Sequence, residues 1–353
     1  MPSSPKRIIV IPPFCKRSLS RTAKVGYMET RPLTKILVTG AGGQIGSELV
    51  PALRARYGAA NVVASDVRED VAARLGDDGP FELLDVTDGA AIEAILDKYG
   101  VDAVFHLAAL LSATGEKNPP LCWDINIGGL CHLLELGRKR DMARVVYPSS
   151  IAAFGPETPR DDTPQETVLK PRTMYGITKV AGELLGDYYF HKYGLDCRGL
   201  RYPGIISAEA PPGGGTTDYA VDVFYAAVKG EPFTCFVRED TTLPMMYMPD
   251  CLKSIMTLAE ADLADLKHHC DFNVTAMSFS AGELASAIKK HVPGLEVAYE
   301  PDFRQEIADS WPRSIDDSAA RAEWGWRPDY GLDAMVKDML EKLRKKHEEG
   351  GLP

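Results

Sequence analysis

No two cysteines fall at the CxxC spacing of a metal or redox site. The seven, Cys15, Cys122, Cys131, Cys197, Cys235, Cys251 and Cys270, are scattered along 353 residues. That suits a reducing compartment and no structural metal. The seven histidines lack HExxH spacing, which argues against a zinc enzyme. No apolar run is long enough to span a bilayer. Basic charge is also short. The formal net charge is -10, which argues against a nucleic-acid or anionic-membrane partner. What remains is ordinary for a soluble globular enzyme, with 45% hydrophobic and 25% charged residues. The length allows one large α/β domain or two lobes. No internal repeat or low-complexity segment is present.

What is there begins with Lys35-Ile-Leu-Val-Thr-Gly-Ala-Gly-Gly-Gln-Ile-Gly46. A short apolar strand runs into a turn with Gly40, Gly43 and Gly46 spaced three apart. Ser47 to Arg56 then reads as a helix with Pro51 near its start. Strand, glycine turn and helix let a backbone approach a pyrophosphate, with free helix N–H groups facing the anion. A second strand, Asn61 to Asp66, ends in an acid about 20 residues on, where a ribose 2′-hydroxyl would be read. A carboxylate there repels a 2′-phosphate, so the expected cofactor is NAD. Arg68 is the counter-signal.

Strands and helices then alternate. Phe81–Val86, Val101–Ala109, Ala143–Tyr147 and Asp196–Arg201 read as strands, and Ala90–Lys98, Pro120–Arg140 and Tyr175–Tyr193 as helices. This predicts an α/β fold with a doubly wound parallel sheet. Residues 35–202 form the dinucleotide-binding domain, and 203–345 mainly a smaller C-terminal substrate lobe. Residues 1–30 stand apart: six basic residues, several serines and Glu29 as the sole acid. Such a composition suits a mitochondrial transit peptide. Plain disorder, or a start at Met28 and a cytoplasmic protein, are the alternatives.

Tyr175 and Lys179 are four apart, so they share one face of their helix. A nearby ammonium stabilises a phenolate, letting the tyrosine take a proton closer to neutral pH. Alone, such a pair is most often a solvated one. Ser149 and Ser150, at the end of the preceding strand, add a hydroxyl for the substrate oxygen. Ser150 is the expected catalytic hydroxyl and Ser149 the alternative.

Thr39-Gly-Ala-Gly-Gly-Gln-Ile-Gly46, Asp85-Val86, His106-Leu-Ala-Ala109, Asn126, Ser149-Ser150 and Tyr175-x-x-x-Lys179 together resemble the extended short-chain dehydrogenase/reductase family. The likeness runs from Lys35 to about Arg344. It implies a Rossmann-type domain with NAD held by Gly40, Gly43, Gln44, Ile45, Gly46, Asp66, Asp85, Val86, Leu107, Ala108, Ala109, Asn126, Tyr175, Lys179 and Pro203. It also implies a homodimer through the helices bearing Asn126 and Tyr175.

The sugar-nucleotide pattern after the sixth strand is absent, since the run is Leu200-Arg-Tyr-Pro-Gly-Ile-Ile-Ser207. Ser150-Ile-Ala-Ala-Phe-Gly155, Pro212–Ala220, Leu243–Asp250 and Ser310-Trp-Pro312 resemble instead the L-threonine dehydrogenase branch of that family. This implies oxidation of the C3 hydroxyl of L-threonine to 2-amino-3-oxobutyrate, which is then cleaved to glycine or loses CO2 to aminoacetone. Ser112, Ser149, Ser150, Tyr175, Gly214, Thr216, Thr217 and Trp311 are the expected substrate contacts. Backbone N–H groups of 213–217 and the two threonine hydroxyls are the expected carboxylate site. No metal is expected. An epimerase that retains its NAD, and a non-catalytic NAD-binding regulatory protein, are the competing readings.

Overall fold

A computed structural model describes residues 29–352 apart from 210 and 212. The transit-peptide expectation therefore lies almost wholly outside the described residues. Among the described residues twelve strands follow in chain order: β1 Ile36–Thr39, β2 Val62–Asp66, β3 Phe81–Leu83, β4 Ala103–His106, β5 Arg144–Ser150, β6 Cys197–Tyr202, β7 Gly204–Ile206, β8 Phe233–Cys235, β9 Thr242–Tyr247, β10 Phe272–Asn273, β11 Met277–Ser280 and β12 Val297–Tyr299. The first helices are α1 Gly46–Tyr57, α2 Asp70–Leu75, α3 Gly89–Tyr99, α4 Ser112–Lys117, α5 Pro119–Trp123, α6 Gly129–Arg140 and α7 Met174–Tyr193. The lobe adds α8 Tyr219–Lys229 and α9 Met248–Glu260.

The main sheet has seven strands in the order β10-β6-β5-β4-β1-β2-β3. Every pairing in it is parallel. Ile36, Leu37 and Val38 are fully buried, as a parallel strand covered on both faces requires. One apolar cluster packs α1 and α9 on one face, and another packs α3, α6 and Tyr189 of α7 on the other. The order reverses between β1 and β4, so the strands' carboxyl ends open a crevice there.

The expected doubly wound parallel sheet is present, with one difference of topology. Its edge strand β10 comes from inside the segment assigned mainly to the lobe, and pairs with β6 through Phe272–Leu200 and Asn273–Arg201. The lobe's own core gathers α8, β9 and the C-terminal helix Leu332–Glu348. It carries two small sheets, β11-β9-β7 and β12-β8. The long helix expected over Pro120–Arg140 is divided by a π-helical turn, Asp124–Gly128, between α5 and α6. Among the described residues no helix is long and apolar enough to cross a membrane.

Candidate active site

The cradle is built first by the glycines. Gly40 has φ +70°, and a Cβ there would meet Ala108 N at 2.6 Å. Only glycine lets β1 turn this close to the end of β4. A Cβ on Gly46 would lie 2.3 Å from Gly40 O, so α1 can start only where its first residue lacks a side chain. Gly43 is different. Within 4 Å its Cβ would meet only Gly40 O, at 3.3 Å, which leaves its outer side open. The N–H groups of Gln44 and Ile45 find no acceptor among the described residues. Open space beside uncommitted donors at a helix start is what a pyrophosphate needs.

Asp66 ends β2 and is buried. Its Oδ2 accepts from Gly42 N at 2.8 Å. Its Oδ1 accepts from the N and Nε of Arg68 at 3.1 and 3.2 Å. The Arg68 guanidinium also donates to Gly42 O at 2.6 Å. Arg68 is thus folded onto its own turn with its charge engaged by Asp66, while its half-exposed side chain still borders the cavity. Gly42, whose amide orients Asp66, escaped the sequence reading because it lies off the three-residue glycine spacing.

The turn after β4 passes beneath this cradle. Asn126, in the π-turn, accepts from Leu110 N at 2.8 Å and donates to Leu110 O and to Thr178 Oγ1, both at 3.1 Å. It ties the β4 turn to α7 while lining the cavity. His106 shares a 2.8 Å hydrogen bond with Thr39. Burial, with Lys179 nearby, pushes its pKa down to about 3, which keeps the ring neutral.

One cavity of about 590 Å³ joins these parts, within the usual size of a ligand pocket. It is lined by Gly40, Gly43, Gln44, Ile45, Gly46, Asp66, Asp85, Val86, Leu107, Ala108, Ala109, Asn126 and Pro203. The same cavity holds Ser112, Ser149, Ser150, Tyr175, Lys179, Thr216, Thr217 and Trp311. Of the residues expected in the site, Gly214 alone does not line it. A more open depression of about 960 Å³ near Arg238 and Lys290 contains none of them.

At the chemical end, α7 begins with Thr173 capping Gly176 N at 3.1 Å. Tyr175 sits in the first turn with its side chain buried. Burial pushes its phenol up to about 12, while a hydrogen bond from Ser150 pulls it down. Lys179 is pulled by burial to about 8, with Cys122 and Glu183 acting the other way. Its Nζ donates to Pro148 O at 2.8 Å and stands 5.1 Å from the centre of the Tyr175 ring. The expected lowering of the tyrosine by the lysine is not found: desolvation raises the phenol, and the group that lowers it is Ser150. The two serines are separated clearly. Ser149 is buried and donates to Glu183 Oε1. Ser150 faces the Tyr175 phenol.

The substrate end differs from expectation in one respect. The amides of Gly214 and Gly215 both donate to Asp218 Oδ2, at 2.8 Å each. Those two N–H groups are committed to a carboxylate of the chain itself, because the Asp218 side chain reaches back three and four residues across the turn that precedes α8. The hydroxyls fare better. Buried Ser112 and Thr216 share a 3.1 Å hydrogen bond across the cavity, bringing α4 to the loop before α8. Trp311 is buried, with its ring in the lobe core and one edge on the cavity.

Comparison with known proteins follows this geometry. The family described as "NAD dependent epimerase/dehydratase family" matches residues 36–274. The chain belongs to that family. A Staphylococcus saprophyticus relative, named only an uncharacterized epimerase/dehydratase, is 48% identical over 90% of this chain and 99% of its own length. Among solved structures, the GalE-like L-threonine dehydrogenase of Cupriavidus necator in its holo form is 51% identical, with TM-score 0.86, covering 88% of this chain and 99% of that one. The L-threonine dehydrogenase of Phytophthora infestans is 51% identical, with TM-score 0.85, covering 89% and 100%. The chain is an NAD-dependent dehydrogenase, and the glycine cradle, the open donors and Asp66 fit that cofactor.

Proposed function

We propose that the chain oxidises the C3 hydroxyl of L-threonine to 2-amino-3-oxobutyrate. One observation carries the reading: Ser150, Tyr175 and Lys179 share a cavity with the paired hydroxyls of Ser112 and Thr216. The closely similar structures are of proteins named L-threonine dehydrogenases, which supports the substrate.

Tyr175 accepts the proton of the C3 hydroxyl. Ser150 holds that same oxygen and hydrogen-bonds the phenol, so proton donor and acceptor stay aligned. Lys179 compensates the negative charge of the Tyr175 phenolate that takes this proton, since neither a lone phenolate nor a lone ammonium is favoured in a desolvated site. Bound NAD supplies the hydride acceptor. Gly43 to Gly46 hold its pyrophosphate, Asp66 its ribose hydroxyls, and Asp85 and Val86 border its adenine. Ser112, Thr216 and Thr217 receive the carboxylate of the amino acid, and Trp311 closes the cavity around its methyl group.

The active unit is a homodimer. Leu121 and Trp123 on α5, and Ile177, Leu184 and Tyr188 on α7, are apolar yet exposed. The two helices pack together, so these side chains form an apolar surface of the kind that marks an interface.

The test is NADH absorbance on mixing protein, NAD and L-threonine, with UDP-glucose and Tyr175→Phe as controls. NADH from threonine that disappears in the variant is the expected result. Conversion of UDP-glucose without net NADH would replace this reading by an epimerase.

A further inference from the structure

A buried network behind the catalytic residues has no part in the chemistry just described. Glu183 lies two turns beyond Tyr175 and one beyond Lys179 on α7, and is buried. Its Oε1 accepts from Ser149 Oγ and from Arg201 Nε at 2.9 Å. Its Oε2 accepts from Arg201 Nη2 at 2.8 Å. Arg201, on β6 and likewise buried, is held in turn by Gln165 O at 3.0 Å and Asn273 Oδ1 at 3.3 Å. Removing two charges from water costs more than their mutual attraction commonly returns. A pair buried so close to a reacting centre calls for a role other than stability.

The register shows one. Two consecutive residues of β5 are fastened to α7 and the next one faces it. Pro148 O accepts from Lys179, Ser149 donates to Glu183, and Ser150 lies beside the Tyr175 phenol. Ser149 is also the cross-strand partner of Arg201 in the β5–β6 pairing. The ion pair therefore grips the strand end from both helix and neighbouring strand.

We infer that Glu183 is a positioning residue for the reaction: clamped by Arg201, it anchors Ser149 and so fixes Ser150 against Tyr175. Its second effect is electrostatic. The titratable groups facing Lys179 are Tyr175 and Glu183 on its own helix, Cys122 on α5 and His106 on β4. His106 is neutral at working pH, and Cys122 is a thiol raised by burial. Glu183 is therefore the standing negative charge that favours the protonated lysine.

This inference rests on the proposed roles of Ser150, Tyr175 and Lys179, and two variants test it. Ser149→Ala removes the anchor and leaves the ion pair intact. A fall in kcat of about tenfold, with NAD affinity unchanged and KM within about twofold, is expected. Glu183→Gln keeps an acceptor for Ser149 but removes the charge. Competitive labelling of amines with acetic anhydride, read by mass on the Lys179 peptide, follows that ionisation with no substrate present. The midpoint is expected to drop by about half a pH unit or more. Wild-type kcat in Ser149→Ala together with an unmoved Lys179 midpoint would overturn the inference. Should Glu183→Gln fail to fold, wild-type kcat in Ser149→Ala overturns it alone. A wild-type protein silent toward L-threonine would defeat the functional proposal, while the labelling still decides the charge effect on Lys179.

Discussion

The nucleotide end and the substrate end of one cavity are built in opposite ways. The first is local. Gly40, Gly43, Gly46 and Asp66 lie within 27 residues, and β1, α1 and β2 place them by their own geometry. The second is assembled from afar. Ser112 meets Thr216 across 104 positions of sequence, and Trp311 arrives from the end of the lobe. A site made by one supersecondary unit is set by backbone sterics. A site gathered from several loops is set by tertiary packing, and its parts can be changed one at a time.

That contrast can be broken. The largest effect should come from chemistry shared by both ends. Tyr175→Phe is expected to lower turnover by about 10²- to 10⁴-fold with NAD binding retained. Loss of NAD binding as well, by fluorescence titration, would mean the phenol belongs to the nucleotide end. Next come two glycines. In Gly46→Ala the new Cβ meets backbone at 2.3 Å, so NAD binding should be abolished along with a loss of about 1–3 kcal/mol in stability. In Gly214→Ala the Cβ meets a side chain, Thr114 Oγ1, at 2.7 Å and φ is +94°. Here KM for L-threonine should rise severalfold with NAD binding unchanged. Equal effects of both on NAD would erase the distinction.

A third substitution sharpens it. Asp66→Asn keeps the shape but removes the charge that repels a 2′-phosphate, so the preference for NAD over NADP should fall about tenfold, measured as the ratio of kcat/KM values. Smaller still is the coupling of Ser112→Ala with Thr216→Val. A double-mutant cycle on kcat/KM should give about 1 kcal/mol, and a value near zero would mean that the hydroxyls act independently. pH closes the series. Tyr175 is raised to about 12 by burial. Its base form is therefore scarce at neutral pH, and kcat/KM should climb with pH on the acid side. A flat profile from pH 6 to 8 would show that proton transfer is not at issue.

The same contrast explains what could be read from the sequence. The strand–turn–helix around Gly40 and the i,i+4 pair of Tyr175 and Lys179 are short-range patterns, and each lies on the predicted element. Ser149 and Ser150 are chemically identical in sequence. Only the buried Glu183, reached through tertiary structure, separates them. Asp218 escaped because a turn closed by the chain's own carboxylate and an anion site share one signature, glycines before a helix, and nothing local says which carboxylate fills it. Glu183 and Arg201 carry no local signal of their pairing, which only the enclosure by the sheet and α7 creates.

The late origin of β10 has a consequence for the chain as it is made. β6 is complete at Tyr202, but its outer edge waits for Phe272 and Asn273, some 70 residues further on. Through that interval the ribosome-bound chain carries an open row of backbone donors and acceptors, the feature by which sheets join wrongly to their neighbours. Biogenesis is thus most exposed while the lobe is being synthesised, and a pause there would be costlier than one inside the nucleotide half.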